Sequence, residues 1–230
     1  MSANDDRFIY FCNMKRTCLI VCSVALLLCA LSCQRDPWTA WERKVITQSD
    51  SVMYVTVMPE DSVFLRASSR DIPERAFGTP ELQTLIAKML ATVNDPSQGG
   101  VGIAAPQVGI NRRIVCLQRL DLAGEPFEPY INIQIDSLAG EITVGQEGCL
   151  SLPGLSGMVP RHTRVHVTYR TPEGTHVAEW IDGFTAVIFQ HECDHLDGTL
   201  YTDRADSVFT DAAWAAEREA FTYDRPAWWE

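Results

Sequence analysis

The stretch QHECDHLDG, residues 190–198, sets two histidines four positions apart and a glutamate directly after the first. On a helix, positions four apart differ by about 40° in azimuth, so His191 and His195 project from one face and can hold one ion. Glu192 lies about 100° round from His191, near enough to reach a water on such an ion without ligating it. This is the spacing of a zinc peptidase helix, and equally of a polar helix face that holds nothing. Upstream the chain is apolar at Phe184, Val187 and Ile188, and Leu196 continues the pattern. Gly198 stands where a C′ glycine ends a helix. Gly183–Asp197 is therefore predicted as a buried helix, with Cys193 a packed thiol pointing away from the histidines.

Working outward, Thr79 and Pro80 form an N-cap and first-turn pair. Leu82, Leu85, Ile86, Met89, Leu90 and Val93 follow at three- and four-residue spacing, which predicts a helix to about Asn94. SVMYVTVM (51–58), RRIVCLQ (112–118), YINIQIDS (130–137), AGEITVGQEG (139–148) and RVHVTYR (164–170) read as strands between Gly/Pro punctuation. Helix, strands and second helix without βαβ alternation predict an α+β domain, with mainly antiparallel sheets around the HExxH helix. Residues 34–50 are polar with no clear period and read as a tether; residues 51–206 are read as the catalytic domain. Residues 207–230 are read as a C-terminal helix and tail, the helix spanning Thr210–Phe221 and packed on the outside.

The chain has 230 residues, enough for one domain with a sizeable core, and a net charge of −11. No Lys/Arg run stands beyond the N-terminus, which argues against a nucleic-acid partner. The first 33 residues follow another rule. The basic stretch MKR (14–16) precedes thirteen largely apolar residues, Leu19–Leu31, too few to span a bilayer core comfortably and suited to an export signal. Met14 suits that signal better as a start than Met1. The run closes on ALSC (30–33), which resembles the lipobox of bacterial lipoproteins, with Ala30 where such boxes usually carry leucine. That resemblance implies lipidation at Cys33, export, and attachment to a membrane through the lipid; an uncleaved signal segment is the other way to hold the membrane. A mis-assigned leader would leave the protein cytoplasmic. Five of the eight cysteines lie in this leader, so Cys116, Cys149 and Cys193 are too few for a disulfide framework.

Two further motifs are ambiguous singly. QEGCLSLPG (146–154) holds a cysteine at a strand end, and GGVGIAAPQVG (99–109) is a glycine-rich turn lacking the Lys-Ser/Thr of a phosphate loop. Taken in order, Gly100-Val101-Gly102-Ile103-Ala104-Ala105-Pro106-Gln107, Glu147-Gly148-Cys149-Leu150-Ser151 and His191-Glu192-Cys193-Asp194-His195 resemble the three signatures of the peptide deformylase family. The resemblance runs from about Val52 to Arg204. It implies a divalent ion held by Cys149, His191 and His195, with Fe²⁺ preferred and Zn²⁺, Ni²⁺ or Co²⁺ also fitting. It implies hydrolysis of the formyl amide at a peptide N-terminus, with Glu192 moving the proton. Gln107 and the backbone N–H of Leu150 would donate to the oxyanion. Gly102 would let backbone approach the substrate, and Val101, Phe184, Val187 and Ile188 would line the pocket for its first side chain; those four are equally explained as core. Small residues at Gly154, Ser156 and Gly157 stand where many bacterial members carry a bulkier charged side chain, which leaves substrate preference open. Two other readings share the residues: a hydrolase of the same fold acting on another N-acyl or peptide substrate, and a formyl-peptide binder without catalysis. The oligomeric state is not legible.

Overall fold

The computed structural model describes residues 36–96, 99–213 and 225–229. Met1–Pro37 and Trp38–Glu230 are separate units, and the fold below is that of the second. At its centre is the expected HExxH helix, observed as Gly183–Leu196 (α4). Buried residues lie on almost every side of it, including Ala186, Phe189, Gln190, Glu192, Asp194 and His195, so it is embedded in the protein. Gly198 closes it with φ +73°, and a Cβ built there would overlap the Arg66 carbonyl.

The sheet around α4 is antiparallel throughout, in the order β1-β2-β3-β4-β5 with β6 on β4. Its strands are β1 (Gly102–Ala104), β2 (Ile114–Gln118), β3 (Phe127–Gly148), β4 (Leu155–Arg170), β5 (His176–Asp182) and β6 (Ser207–Thr210). Strand β2 shows why the domain has two cores. Its side chains alternate, so Ile114 and Cys116 join the helix Pro80–Val93, while Val115 and Leu117 join Ala186 and Phe189 of α4. Both faces of the strand are buried, which explains its unbroken apolar run. Thr79 accepts from the Leu82 N–H, as a cap should, and Leu82, Leu85, Ile86, Met89 and Val93 are buried. Each such side chain contributes about 1.5–3 kcal/mol by leaving water.

Several expectations are corrected. The segments 130–137 and 139–148 are one strand, because the register shifts after Ile131, Ile135 and Ala139 bend β3 instead of ending it. Ser51–Met58 is no strand. It runs extended with Met53 and Val55 buried, but its backbone bonds reach two different loops: Thr56 N–H donates to the Gln107 carbonyl (2.8 Å) and Met58 N–H to the Ser151 carbonyl (3.0 Å). Alternating burial supplied the strand-like pattern without a partner strand.

The tether assigned to 34–50 is overturned from Trp38 onward. Ala40–Gln48 is a helix (α1), with Trp38, Val45 and Ile46 in the core. The signal lay in TAWE (39–42), a capping box: Thr39 accepts from the Glu42 N–H, and the Glu42 carboxylate accepts from the Thr39 N–H at 2.7 Å. Glu42 also holds Arg112 through two bonds of 2.5 and 3.0 Å. Between α1 and α4 lie the helices α2 (Ser62–Leu65) and α3 (Pro80–Val93). At the other end, the boundary at residue 206 fails because 207–210 is β6, paired to β4. Thr210 therefore begins no helix; Ala212 and Ala213 are helical, and residues 214–221 of the expected helix lie outside the described residues. Trp229 is buried, edge-on to Trp41, Tyr54 and Phe64. Segments flanking the expected domain thus complete its core. The leader, with Cys33, lies outside the described residues.

Candidate metal centre

Helix α4 supplies His191, Glu192 and His195, and the turn leaving β3 supplies Cys149. The thiol and one nitrogen of each imidazole all lie within 4.8 Å of one another. Cys149 Sγ is 3.2 Å from His195 Nε2, and the two rings stand at 72° with centroids 5.1 Å apart. His191 Nδ1 bonds Glu147 at 2.8 Å, which leaves its Nε2 for the cluster. Glu147 is fixed in turn by Arg161 through bonds of 2.8 and 3.0 Å. Arg161 also donates to Asp194 at 2.6 Å, and Arg204 holds the same carboxylate at 2.6 and 2.7 Å. A chain of alternating charge therefore runs behind the ligands. Glu147 and Asp194 sit inside the quoted motifs, yet the sequence reading assigned them no role, and Arg161 carries no local signal.

The electrostatics follow from burial and neighbours. Burial works against charge on Glu147, but bonds from His191 and Arg161 outweigh it and hold its pKa at about 2. Burial opposes charge on His191 as well, and Cys149 and Glu147 prevail, raising it well above the ordinary value. His195 is driven well below by burial and by the like charge of His191. Burial pushes Glu192 up to about 7, with Glu147 adding to the effect and His191 and Arg161 opposing it. A carboxylate titrating near neutrality suits proton transfer in both directions.

The residues present fit a divalent transition ion. Two imidazoles and a sulfur form a borderline-soft donor set, and three protein ligands leave a position open. Glu192 Oε2 is buried and has no hydrogen-bond partner among the described residues, an arrangement that is costly unless something in the cleft donates to it.

Around this cluster the loops are cross-tied. Gln107 Oε1 accepts from the Ala104 N–H at 2.8 Å, which turns Nε2 toward Ser151 Oγ at 3.3 Å and Cys149 Sγ at 3.7 Å. The Ser151 N–H donates to the same sulfur at 3.4 Å. Leu150 follows the cysteine, buried at the cleft wall. At Gly102 a Cβ would overlap the Glu192 carboxylate, so that glycine makes room for the acid as well as lining the cleft.

The cleft encloses about 370 Å³, and Val101, Phe184, Val187 and Ile188 all line it. Phe184 is 59 % exposed and Val101 36 %, so neither is core; Ile188 is buried and serves both. Cys193 is buried in the core between α4 and the sheet, as expected.

The family described as polypeptide deformylase matches residues 52–210. Peptide deformylase 2 of Pseudomonas putida is 42 % identical over 141 residues, covering 58 % of this chain and 77 % of that protein. The peptide deformylase of Desulforudis audaxviator is 38 % identical over 145 residues, 63 % of this chain and 89 % of its own. Among solved structures, a class I type b peptide deformylase from Acinetobacter baumannii with Met-Ala-Ser bound aligns with TM-score 0.60 and 34 % identity. It covers 66 % of this chain and 99 % of that one. The same enzyme bound to actinonin aligns with TM-score 0.61, covering 67 % and 99 %.

Proposed function

This chain belongs to the polypeptide deformylase family, and from that premise we propose roles for its individual residues in releasing formate from N-formylated peptides. The protein is a metal-dependent hydrolase of the formyl amide. The observation that carries the assignment is the convergence of Cys149, His191 and His195 on one point beside Glu192. Those three hold the ion, and a divalent ion in such a site lowers the pKa of water toward neutrality and polarises a carbonyl. Fe²⁺ is our choice of metal; the sulfur-and-imidazole set also accepts Zn²⁺, Ni²⁺ or Co²⁺.

Glu192 removes a proton from the attacking water and delivers it to the departing amine nitrogen as the C–N bond breaks. Water adds across the amide, leaving formate and a free peptide amine. Gln107 Nε2 and the Leu150 N–H are assigned to the oxyanion; losing one such donor costs about 10²–10³ in rate. Glu147 orients His191 through Nδ1. The first side chain of the substrate, methionine in our reading, lies against Val101, Phe184, Val187 and Ile188, whose mixed exposure suits a pocket open at one end.

The leader supports export. We propose that Cys33 is lipidated and that the enzyme works outside the cytoplasm on a membrane, with formylated peptides as substrate; formate release in the membrane fraction, together with the mature N-terminus, tests this. A shift to another N-acyl substrate is a second reading, favoured by the small Ser156 at the cleft wall. A pure binder would have no use for a buried carboxylate beside the donor cluster.

The assignment is tested with Fe²⁺-loaded protein and formyl-Met-Ala-Ser. Glu192→Gln lowers kcat by about 10²–10⁴ while the metal content holds. Wild-type formate release from that variant would overturn the role given to Glu192.

A further inference from the structure

Two aromatic side chains from outside the family match meet at one residue of the glycine-rich loop. The match runs over 52–210, whereas Trp41 of α1 stands before it and Trp229 after it. Both converge on Gly109. The Trp41 indole N–H donates to the Gly109 carbonyl at 2.8 Å, and a Cβ built on Gly109 would come within 2.3 Å of the Trp229 ring. Glycine is needed there twice over, for that close approach and for its φ of +77°.

Gly109 ends the short 3₁₀ turn Ala105–Val108 that carries Gln107, and its N–H donates to the Pro106 carbonyl at 3.0 Å. A second route reaches the same turn. The Thr56 N–H donates to the Gln107 carbonyl at 2.8 Å and the Thr56 hydroxyl to the Pro106 carbonyl at 3.1 Å. That segment is held by the buried Asp61, which accepts from the Val57 N–H at 3.0 Å and from the Tyr54 hydroxyl at 2.7 Å. The other oxygen of Asp61 accepts from Arg225 at 2.8 Å. Trp229 and Arg225, four residues apart, therefore grip the turn from two sides.

The grip is stiff. Trp229 is buried edge-on against Trp41, Tyr54 and Phe64, with centroids 4.9–5.7 Å apart, and such rings have little room to shift. The loop it holds would be pliant alone, with glycine at 99, 100, 102 and 109.

We propose that Trp229 is a positioning residue for the reaction: it pins Gly109 and so fixes where the turn holds the Gln107 amide, with Trp41 and Arg225 sharing the task. This rests on the role given to Gln107 in the deformylase reading above. The effect is expected on the transition state, because a donor to the oxyanion acts there and a misplacement of about 1 Å can cost about 10²-fold.

Two mild variants of the Fe²⁺-loaded full chain test it with formyl-Met-Ala-Ser. Trp229→Phe keeps an aromatic ring in the core but withdraws the far edge of the indole from Gly109; Trp41→Phe removes only the N–H. Each should lower kcat about tenfold with KM within about twofold and the metal content of the wild type. In a Gln107→Ala background, Trp229→Phe should cost less than about twofold more, since the group being positioned is gone. A full tenfold loss in that background, or wild-type kcat in both single variants, would overturn the proposal. Amide hydrogen exchange gives a reading that needs no turnover: Thr56 and Gly109 should exchange about tenfold faster in Trp229→Phe. If the wild type released no formate, the deformylase reading would fall, and exchange alone would decide the clamp, faster exchange sustaining it and unchanged exchange sinking it.

Discussion

Among the described residues, two buried glutamate–arginine pairs differ in an instructive way. Glu42–Arg112 and Glu147–Arg161 are each held by two bonds of 2.5–3.0 Å, with all four side chains at most 8 % exposed. What separates them is the use of the remaining carboxylate capacity. Glu42 turns it on the Thr39 N–H and caps α1. Glu147 turns it on His191 Nδ1 and aims a metal ligand. The same pair therefore serves attachment of a helix in one place and preorganisation of a site in the other.

The largest expected effect tests that division directly. Glu147→Gln should weaken metal binding by about 10–100-fold, the usual consequence of disturbing a partner behind a ligand, read by competition with a chelator. It should also destabilise the fold, since Arg161 loses half of its support. Unchanged metal affinity would reduce Glu147 to a structural group.

Glu42→Gln should lower stability by about 3 kcal/mol, because Arg112 is left buried without its counter-charge, and should leave metal affinity as in the wild type. Urea denaturation with parallel metal titration checks both halves. A metal defect in this variant would erase the contrast.

A smaller effect appears on acidification. Burial would raise the Glu42 pKa, but bonds from Arg112 and Thr39 outweigh it and hold the group below 4.5. Its stabilisation is thus complete above about 4.5 and is lost as pH falls through the folded value. The stability gap between wild type and Glu42→Gln should narrow on going from pH 6 to pH 3. A constant gap would mean that packing, not charge, carries the interaction.

The smallest effect is at the periphery. Arg70 reaches Glu42 only at 3.8 Å and is 66 % exposed, so Arg70→Ala should change stability by less than about 0.5 kcal/mol in urea denaturation.

These contrasts explain what was legible beforehand. Helices α3 and α4 were readable because apolar spacing and end signals are properties of ten or fifteen consecutive residues. The ligand triad was readable because each member sits in a short motif, though Cys149 could be joined to the histidines only through resemblance. The capping box at 39–42 is a local signal for α1, but the polar stretch around it has no apolar period and so reads as a tether. Strand β6 offers four residues with no alternation to exploit, since all are exposed.

Local pattern alone determined the α+β class, the central helix and the paired histidines on one of its faces, since backbone periodicity and donor chemistry travel with neighbouring residues. Only the folded chain decided that Arg161 would brace Glu147, that Trp229 would close over Gly109, and that Asp211 would reach the cleft. Those meetings join residues up to 120 positions apart. Their distances come from how sheet and helices pack, which no short window of the chain encodes.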